Sequence, residues 1–121
     1  MSGSSRVVLL VEDEWLLRQH LVDEFCAAGW TVMEASSGES ALDFLRDGAE
    51  IDILVTDIRL GTGITGWDVA AAFRASRAKL PVVYVSANAS SDPRRVEGSI
   101  FLNKPCVIET LLATCRTLCA E

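Results

Sequence analysis

Short apolar runs alternate with segments of helical periodicity along the chain, and this alternation restricts the fold more than any other feature. Residues 7–11 (VVLLV) form a continuous aliphatic run, which is typical of a strand buried on both faces. After it, Leu17, Leu21 and Phe25 recur at helical spacing, and Gly29 predicts the end of that helix. Strand–helix alternation with short loops predicts an α/β fold, in which helices cover both faces of a single doubly wound parallel sheet.

The same pattern continues to the end of the chain and predicts five strands. They are expected at residues 7–11, 30–35, 51–56, 82–85 and 100–102. Helices are expected from Asp13, which can cap the first of them, to Gly29, from Ser37, which opens the second, to Gly48, over residues 67–77 and over residues 108–119. Residues 89–97 are polar and interrupted by Pro93, so the helix that would be fourth in chain order must be short or irregular.

Length and composition agree with one domain. The chain has 121 residues, half of them apolar, which is enough to fill a core without disulfides or metal ions. Its apolar runs are too short to cross a bilayer, and residues 12–14 (EDE) follow the first run where a signal peptide would need a cleavage site, so a cytoplasmic protein is expected. The net charge of −6 is unsuited to nucleic-acid binding. The four cysteines lack metal-site spacing and are expected to be reduced core side chains.

Polar side chains stand at the ends of four of the five predicted strands. Glu12 and Asp13 follow the first strand, Asp57 the third, Ser86 the fourth and Lys104 the fifth. Open parallel sheets bind ligands beyond the carboxyl ends of their strands, so these side chains are expected at one edge. Three neighbouring carboxylates repel one another, and a hard cation such as Mg²⁺ would relieve the repulsion. Because an ammonium and a hydroxyl group remain to hold an anion, the set predicts a site for phosphoryl transfer.

Each of these residues also has a purely structural interpretation. The acidic run 12–14 could complement the dipole of a helix start, and Asp57 could cap a turn. Ser86 could satisfy a loop, and Lys104 could be a solvated charge. Taken singly, each residue favours the structural interpretation, whereas five of them at the same end of the strands favour a functional site.

Four segments resemble a known family: residues 8–14 (VLLVEDE), 53–60 (ILVTDIRL), 82–88 (VVYVSAN) and 101–105 (FLNKP). In this order they resemble the receiver domain of the response regulators of two-component signal transduction systems. The resemblance extends from about residue 7 to residue 118. It implies a single receiver domain over residues 1–121 with the flavodoxin-like (βα)5 fold.

The resemblance implies a phosphoacceptor and a metal site. Asp57 matches the aspartate that accepts the phosphoryl group. Glu12 and Asp13 match the acidic pair that holds Mg²⁺, together with Asp57 and the backbone carbonyl of Arg59. A domain of this kind catalyses only its own phosphorylation and dephosphorylation, so it is not expected to be an enzyme with an external substrate.

The resemblance also implies a switch. Ser86 matches the hydroxyl that hydrogen-bonds the phosphoryl group, and Lys104 matches the lysine that pairs with it. Phe101 matches the aromatic residue that turns inward when the hydroxyl moves, which changes the surface. The bond between Lys104 and Pro105 matches the cis peptide bond of the family.

The implied function is phosphorelay signalling, with the phosphoryl group supplied by a sensor histidine kinase or a histidine phosphotransfer protein. The downstream partner is expected to be a protein, without direct binding to nucleic acid or membrane. One alternative is a pseudo-receiver that binds proteins without phosphotransfer. Another is a Mg²⁺-dependent phosphatase with an aspartyl-phosphate intermediate, but such enzymes need a general acid two residues after the nucleophile, where Arg59 stands.

Three features depart from the family pattern. Arg59 is a long cation beside the acceptor, and its side chain either reaches into solvent or contacts the phosphoryl group and slows its loss. Residues 61–66 (GTGITG) form a glycine-rich loop in which mobility is expected. Residues 87–103 are about one helical turn shorter than the family pattern, which agrees with a short fourth helix.

Overall fold

The computed structural model describes residues 6–61, 63–87 and 92–120, which form one five-stranded sheet with helices around it. The strands are β1 (Val7–Val11), β2 (Thr31–Ala35), β3 (Ile53–Thr56), β4 (Val82–Ser86) and β5 (Ile100–Asn103). The helices of the described ranges are α1 (Trp15–Ala27), α2 (Gly38–Arg46), α3 (Gly66–Ser76) and α4 (Ile108–Cys119). All neighbouring strands are parallel, in the order β2-β1-β3-β4-β5. The predicted α/β class with a five-stranded parallel sheet is confirmed.

Both faces of the sheet are covered, as the continuous aliphatic runs predict. Toward α2 and α3, Leu9 and Leu54 pack with Phe73 of α3, all with almost no exposed surface. Toward α1 and α4, Leu10 packs with Leu111 of α4. Successive strand residues point to opposite faces, so β1 contributes to both clusters. Each fully buried aliphatic side chain contributes roughly 1.5–3 kcal/mol, which holds the helices against the sheet.

The caps of the helices agree only in part with the sequence. The prediction that Asp13 caps α1 is wrong, because the N-cap is Glu14, whose side chain makes no capping hydrogen bond. The carboxylate of Asp13 instead lies close to that of Asp57. The prediction that Ser37 opens α2 is confirmed, since its hydroxyl accepts a hydrogen bond from the third helical N–H, and Thr65 caps α3 in the same way.

Strands β2 and β3 begin later than predicted, at Thr31 and Ile53. Trp30 closes the turn after α1 instead, because its N–H donates to the carbonyl of Phe25 at 3.0 Å. The two rings pack edge to face, with 5.5 Å between their centroids. Strands β4 and β5 each extend one residue further than predicted, so β4 includes Ser86.

The described part of the connection between β4 and β5, residues 92–99, is a series of turns and contains no helix. Residues 88–91, where the predicted fourth helix would begin, lie outside the described residues. Asp92 accepts a hydrogen bond from the N–H of Arg94 at 2.8 Å, which forms a tight turn around Pro93. Gly98 has a φ of 76°, a left-handed conformation that a helix interior does not contain. The irregular character predicted for this segment is confirmed for its described residues.

No helix in the described ranges is long and apolar enough to cross a membrane.

Cys115 and Cys119 are buried in α4, Cys106 is half-buried, and all four cysteines are free. Burial raises the pKa of Cys115 to about 12, so its thiol stays protonated at neutral pH. The expectation of a core side chain is wrong for Cys26, which is exposed because neighbouring residues of a helix point in different directions.

Candidate functional site

The ends of neighbouring strands bring acidic residues together. The N–H of Glu12 donates to the carbonyl of Ala35 at 3.1 Å, and the N–H of Asp57 donates to the carbonyl of Val11 at 3.0 Å. Sheet-type hydrogen bonds therefore hold both acidic residues just beyond the ends of their strands. Glu12 and Asp57 are buried, with 4% and 9% of their surface exposed, whereas Asp13 is exposed.

Lys104 connects the two buried carboxylates. Its Nζ atom lies 2.8 Å from Oδ2 of Asp57 and 3.1 Å from Oε1 of Glu12. Burial alone would lower the pKa of Lys104, but the hydrogen bonds to Asp57 and Glu12 outweigh burial, so this pKa lies above its ordinary value. Burial raises the pKa of Glu12, against the effect of hydrogen bonds from the Glu14 N–H and from Lys104. Lys104 is therefore a cation at neutral pH and compensates part of the negative charge.

The other oxygen of Asp57 is held by the backbone. Oδ1 accepts hydrogen bonds from the N–H of Ile58 at 2.6 Å and from the N–H of Arg59 at 3.4 Å. The hydroxyl of Thr56 donates to the backbone carbonyl of Asp57 at 2.7 Å. Because Oδ1 is occupied by these amides, Oδ2 is the oxygen that faces Lys104.

Gly66, the first residue of α3, allows the helix to approach the backbone of Asp57. Its N–H donates to the carbonyl of Ile58 at 2.7 Å. A Cβ atom at this position would lie 2.8 Å from Cα of Ile58 and 2.9 Å from the carbonyl carbon of Asp57, closer than real side chains allow. From the sequence this glycine indicates only loop mobility, and its structural role is missed. The available signal is a glycine at the start of the helix that follows the acceptor strand.

Arg18 of α1 is a second residue that the sequence does not single out. Its guanidinium donates to the carbonyl of Glu12 at 2.8 Å and to Oε1 of Glu34 at 3.0 Å. These bonds tie the segment after β1 to both α1 and β2. No motif indicates such a contact, because it depends on how α1 packs against the sheet.

The site residues line a cleft of about 370 Å³ at the carboxyl edge of the sheet. The lining residues are Glu12, Asp13, Glu14, Asp57, Arg59, Gly61, Ser86, Ala87 and Lys104. The cleft therefore brings together every candidate residue from the sequence except Phe101. Phe101 lies half-buried on β5, packed against the core on the α3 side, with its ring 6.4 Å from that of Tyr84. The peptide bond between Lys104 and Pro105 is cis.

The carboxylates of this cleft fit a hard divalent cation. Glu12, Asp13 and Asp57 each offer one oxygen, and these oxygens all lie within 4.8 Å of one another. Lys104 supplies a single positive charge against three carboxylates, so a cation would relieve repulsion that remains. Mg²⁺ prefers oxygen ligands and keeps several waters, which suits a cluster with one exposed member.

A second cavity of about 480 Å³ lies between the sheet, α1 and α4. Glu12, Asp57 and Lys104 line both this cavity and the cleft. The rest of its lining is mostly apolar and includes Leu17 of α1 and Ile108 of α4. The charged site is therefore bordered by an apolar space on the α1–α4 side.

The fold is that of the CheY-like receivers of two-component signalling. A response regulator receiver protein from Sinorhizobium medicae superposes with a TM-score of 0.91 at 34% identity, covering 98% of this chain and 97% of the other. Chemotaxis response regulator CheY4 of Vibrio cholerae superposes with a TM-score of 0.83 at 26% identity, covering 95% and 99%. Residues 8–116 match the response regulator receiver domain, and the chain belongs to this family.

Curated relatives agree with this assignment. The probable transcriptional regulatory protein SilR of Salmonella typhimurium is 31% identical over 116 residues, which are 92% of this chain and 50% of SilR. A stretch of 59 residues, 48% of this chain, is 46% identical to the sensor kinase CckA of Brucella abortus and covers 6% of it. The chain thus spans half or less of these relatives. The chain is a receiver domain of two-component signal transduction. Neither its fold nor its relatives favour the alternative of a binding module without phosphotransfer.

Proposed function

We propose that Asp57 accepts a phosphoryl group from a phosphohistidine of a sensor histidine kinase or a histidine phosphotransfer protein, in a Mg²⁺-dependent reaction. The observation that carries this proposal is the position of its carboxylate. Oδ1 is held by backbone amides, and Oδ2 lies 2.8 Å from Lys104 inside an acidic cleft. A carboxylate held in this way is oriented for attack, which a nucleophile requires.

In the transfer, an oxygen of Asp57 forms a bond to phosphorus, and the bond from phosphorus to the donor's imidazole nitrogen breaks. The electron pair of that bond stays on the imidazole. Glu12, Asp13, Asp57 and the backbone carbonyl of Arg59 are the proposed ligands of Mg²⁺, which when bound supplies positive charge for the phosphoryl oxygens. Lys104 stays beside the transferred group and pairs with its negative charge.

Phosphorylation is proposed to act on the surface through Ser86 and Phe101. The new group adds charge and acceptor oxygens to the cleft, and Ser86 lines that cleft. A Ser86 that moves toward the phosphoryl group leaves space beside β5. Phe101, on β5, can turn into that space and so alter the surface offered to a partner.

Exposed apolar side chains near the cleft support a protein as the phosphoryl donor. Trp15 and Leu16, in the first turn of α1, are 65% and 64% exposed. Val107, directly before α4, is 61% exposed. Their sequence neighbours Glu14 and Ile108 line the cleft and the apolar cavity respectively. Large exposed apolar side chains beside a cleft favour a partner surface, and a small phosphodonor would not need one.

We further propose that residues 1–121 act as one receiver domain in the cytoplasm, with a core at about residues 7–118. The domain is proposed to act on no external substrate, because Arg59 stands where a phosphatase would need a second carboxylate. The output partner is proposed to be a protein. The net charge of −6 argues against nucleic acid in that role.

The test is the intact mass after incubation with Mg²⁺ and phosphoramidate. The parent is expected to gain one phosphoryl group, and Asp57→Asn none. The control Asp47→Asn makes the same change at the exposed end of α2 and is expected to behave like the parent. A parent that gains nothing, from phosphoramidate or from a phosphorylated histidine phosphotransfer protein, would contradict the proposed function.

A further inference from the structure

Tyr84, the single tyrosine of the chain, is fully buried in β4. Its Cα pairs with that of Thr56, the residue before Asp57, and on the other side with that of Phe101. Its ring centroid lies 4.8 Å from that of Trp67 and 6.4 Å from that of Phe101. The ring therefore neighbours both the start of α3 and the candidate switch residue, one strand away from the candidate phosphoacceptor.

The hydroxyl group of Tyr84 binds the turn segment 92–99. It accepts a hydrogen bond from the N–H of Val96 at 3.1 Å, and the side chain of Val96 packs against the same core cluster. Inside a helix this N–H would donate to a carbonyl four residues earlier, but residues 92–99 are turns and Tyr84 provides the acceptor. Breaking this bond leaves a buried hydroxyl without the N–H, which costs free energy.

Further contacts stabilise the two halves of the segment. The hydroxyl of Ser99 donates to the carbonyl of Val96 at 2.7 Å. Asp92 and Arg94 form an ion pair at 2.7 Å, and the guanidinium carbon of Arg94 lies 5.6 Å from the ring centroid of Trp67. Val96 and Arg94 therefore attach the segment to the two aromatic rings that pack together between β4 and α3.

We propose that the hydroxyl of Tyr84 is a latch, which holds residues 92–99 against the sheet before phosphorylation and releases them when Phe101 turns inward. This proposal rests on the proposed role of Asp57 as phosphoacceptor. In this arrangement the signal reaches the surface through the release of a turn segment. The described residues of this connection form no helix that could move instead.

Side-chain packing couples the movement of Phe101 to the hydroxyl of Tyr84. Tyr84 and Ser86 are two residues apart in β4, so their side chains point to the same face of the sheet. Phe101 is the cross-strand partner of Tyr84 on that face. An inward turn of Phe101 presses against the Tyr84 ring, which also packs against the ring of Trp67. A close-packed interior yields by discrete shifts, and a shift of this ring moves its hydroxyl away from the segment.

The latch is tested by hydrogen exchange of the Val96 amide, followed by NMR. The parent is measured with Mg²⁺ alone and with Mg²⁺ plus beryllofluoride, which mimics the phosphoryl group. Exchange in the parent is expected to rise at least about fivefold on beryllofluoride binding, because the hydrogen bond that protects this amide is lost. Tyr84→Phe keeps the ring and removes the hydroxyl, so its Val96 amide should exchange fast in both states. Its phosphorylation at Asp57, read as intact mass, should match the parent.

Ser99→Ala is the matched control, because it removes the two hydrogen bonds of a hydroxyl inside the segment, one donated to the carbonyl of Val96 and one accepted from Arg95, and leaves the bond between Val96 and Tyr84 in place. It is expected to raise Val96 exchange in both states and to keep the response to beryllofluoride.

Trypsin gives a second readout, since it cleaves after Arg94 and Arg95. Cleavage of the parent should become faster with beryllofluoride, whereas Tyr84→Phe should be cleaved fast in both states.

Two outcomes overturn the latch while the proposed function stands. One is unchanged Val96 exchange in a parent that the mass shows to be phosphorylated; the other is a Tyr84→Phe variant that responds to beryllofluoride as the parent does. A parent that is neither phosphorylated nor bound by beryllofluoride overturns the proposed function and the latch together. If Tyr84→Phe does not fold, the exchange response of the parent decides.

Discussion

Replacing Gly66 with alanine tests whether a close approach of α3 positions the candidate phosphoacceptor. The added Cβ would lie 2.8 Å from Cα of Ile58 and 2.9 Å from the carbonyl carbon of Asp57, where ordinary contacts begin at 3.4 Å. The atoms in conflict are backbone atoms, so no side chain can rotate away. The carbonyl oxygen of Asp57 lies closest of all to the added Cβ, so the start of α3 must move by clearly more than half an ångström away from β3.

The expected cost has two parts. Overpacking of a tight contact costs about 1–3 kcal/mol. The hydrogen bond from the N–H of Gly66 to the carbonyl of Ile58, now 2.7 Å, is lengthened, and its loss costs about 0.5–1.5 kcal/mol. The free energy of unfolding should thus fall by about 1.5–4.5 kcal/mol. For a domain of this size, that corresponds to a melting temperature lower by roughly 6–18 °C.

Urea unfolding and phosphorylation by phosphoramidate together measure the effect. The control is Gly48→Ala at the end of α2, where φ is 78° and a Cβ meets nothing within 4 Å. This control carries only the strain of a left-handed residue, about 1–2 kcal/mol, and should be phosphorylated like the parent. Gly66→Ala should also be phosphorylated more slowly, because Asp57 is displaced. If Gly66→Ala unfolds at the parental urea concentration and is phosphorylated at the parental rate, the reasoning is refuted.

Three further predictions concern the charges of the cleft. Lys104→Met leaves two buried carboxylates without their cation, so phosphorylation by phosphoramidate should slow about 100-fold, and a parental rate in the mass assay would contradict the pairing. Arg59→Ala should shorten the lifetime of the phosphorylated protein about two- to fivefold, because an exposed ion pair between Arg59 and the phosphoryl group would be lost. An unchanged lifetime would show that the Arg59 side chain reaches into solvent and does not contact the phosphoryl group. Burial raises the pKa of Glu12 above 4.5, so the stability it contributes is present below pH 4.5 and is lost as the pH rises through the raised pKa. In the absence of metal, the free energy of unfolding of Glu12→Gln should therefore rise relative to that of the parent between pH 4.5 and pH 7, measured by urea unfolding with EDTA. A difference in unfolding free energy that does not change with pH would contradict this.

The fold class and the edge that carries the site can be predicted from the sequence, because both depend on local patterns. Continuous aliphatic runs indicate buried strands, and residues after parallel strands meet at one edge. Asp57 and Lys104 can therefore be assigned to the same edge, although 47 residues separate them. Phe101 can likewise be assigned to the fifth strand from the local pattern. Its packing against Tyr84 cannot be predicted from the sequence.

Element boundaries are less predictable, because neighbouring residues compete for the same position. Asp13 and Glu14 are both plausible at the start of α1, and the sequence favours the wrong one. Trp30 has a strong strand preference, but its N–H closes the turn after α1. The irregular segment predicted over residues 89–97 is confirmed for the described residues from 92 onward, while the attachment of Val96 to Tyr84 has no sequence signal.

By itself, the sequence determined the order of strands and helices, the burial of the sheet and the set of charged groups at its carboxyl edge. Only the tertiary structure decided that Lys104 contacts both Asp57 and Glu12. The same is true of the close approach of α3 to the end of β3 at Gly66, and of the hydrogen bond between Tyr84 and Val96. The physical reason is that these contacts join segments far apart in the chain. They depend on the strand order β2-β1-β3-β4-β5 and on distances set to a few tenths of an ångström by packing, which no local pattern of residues encodes.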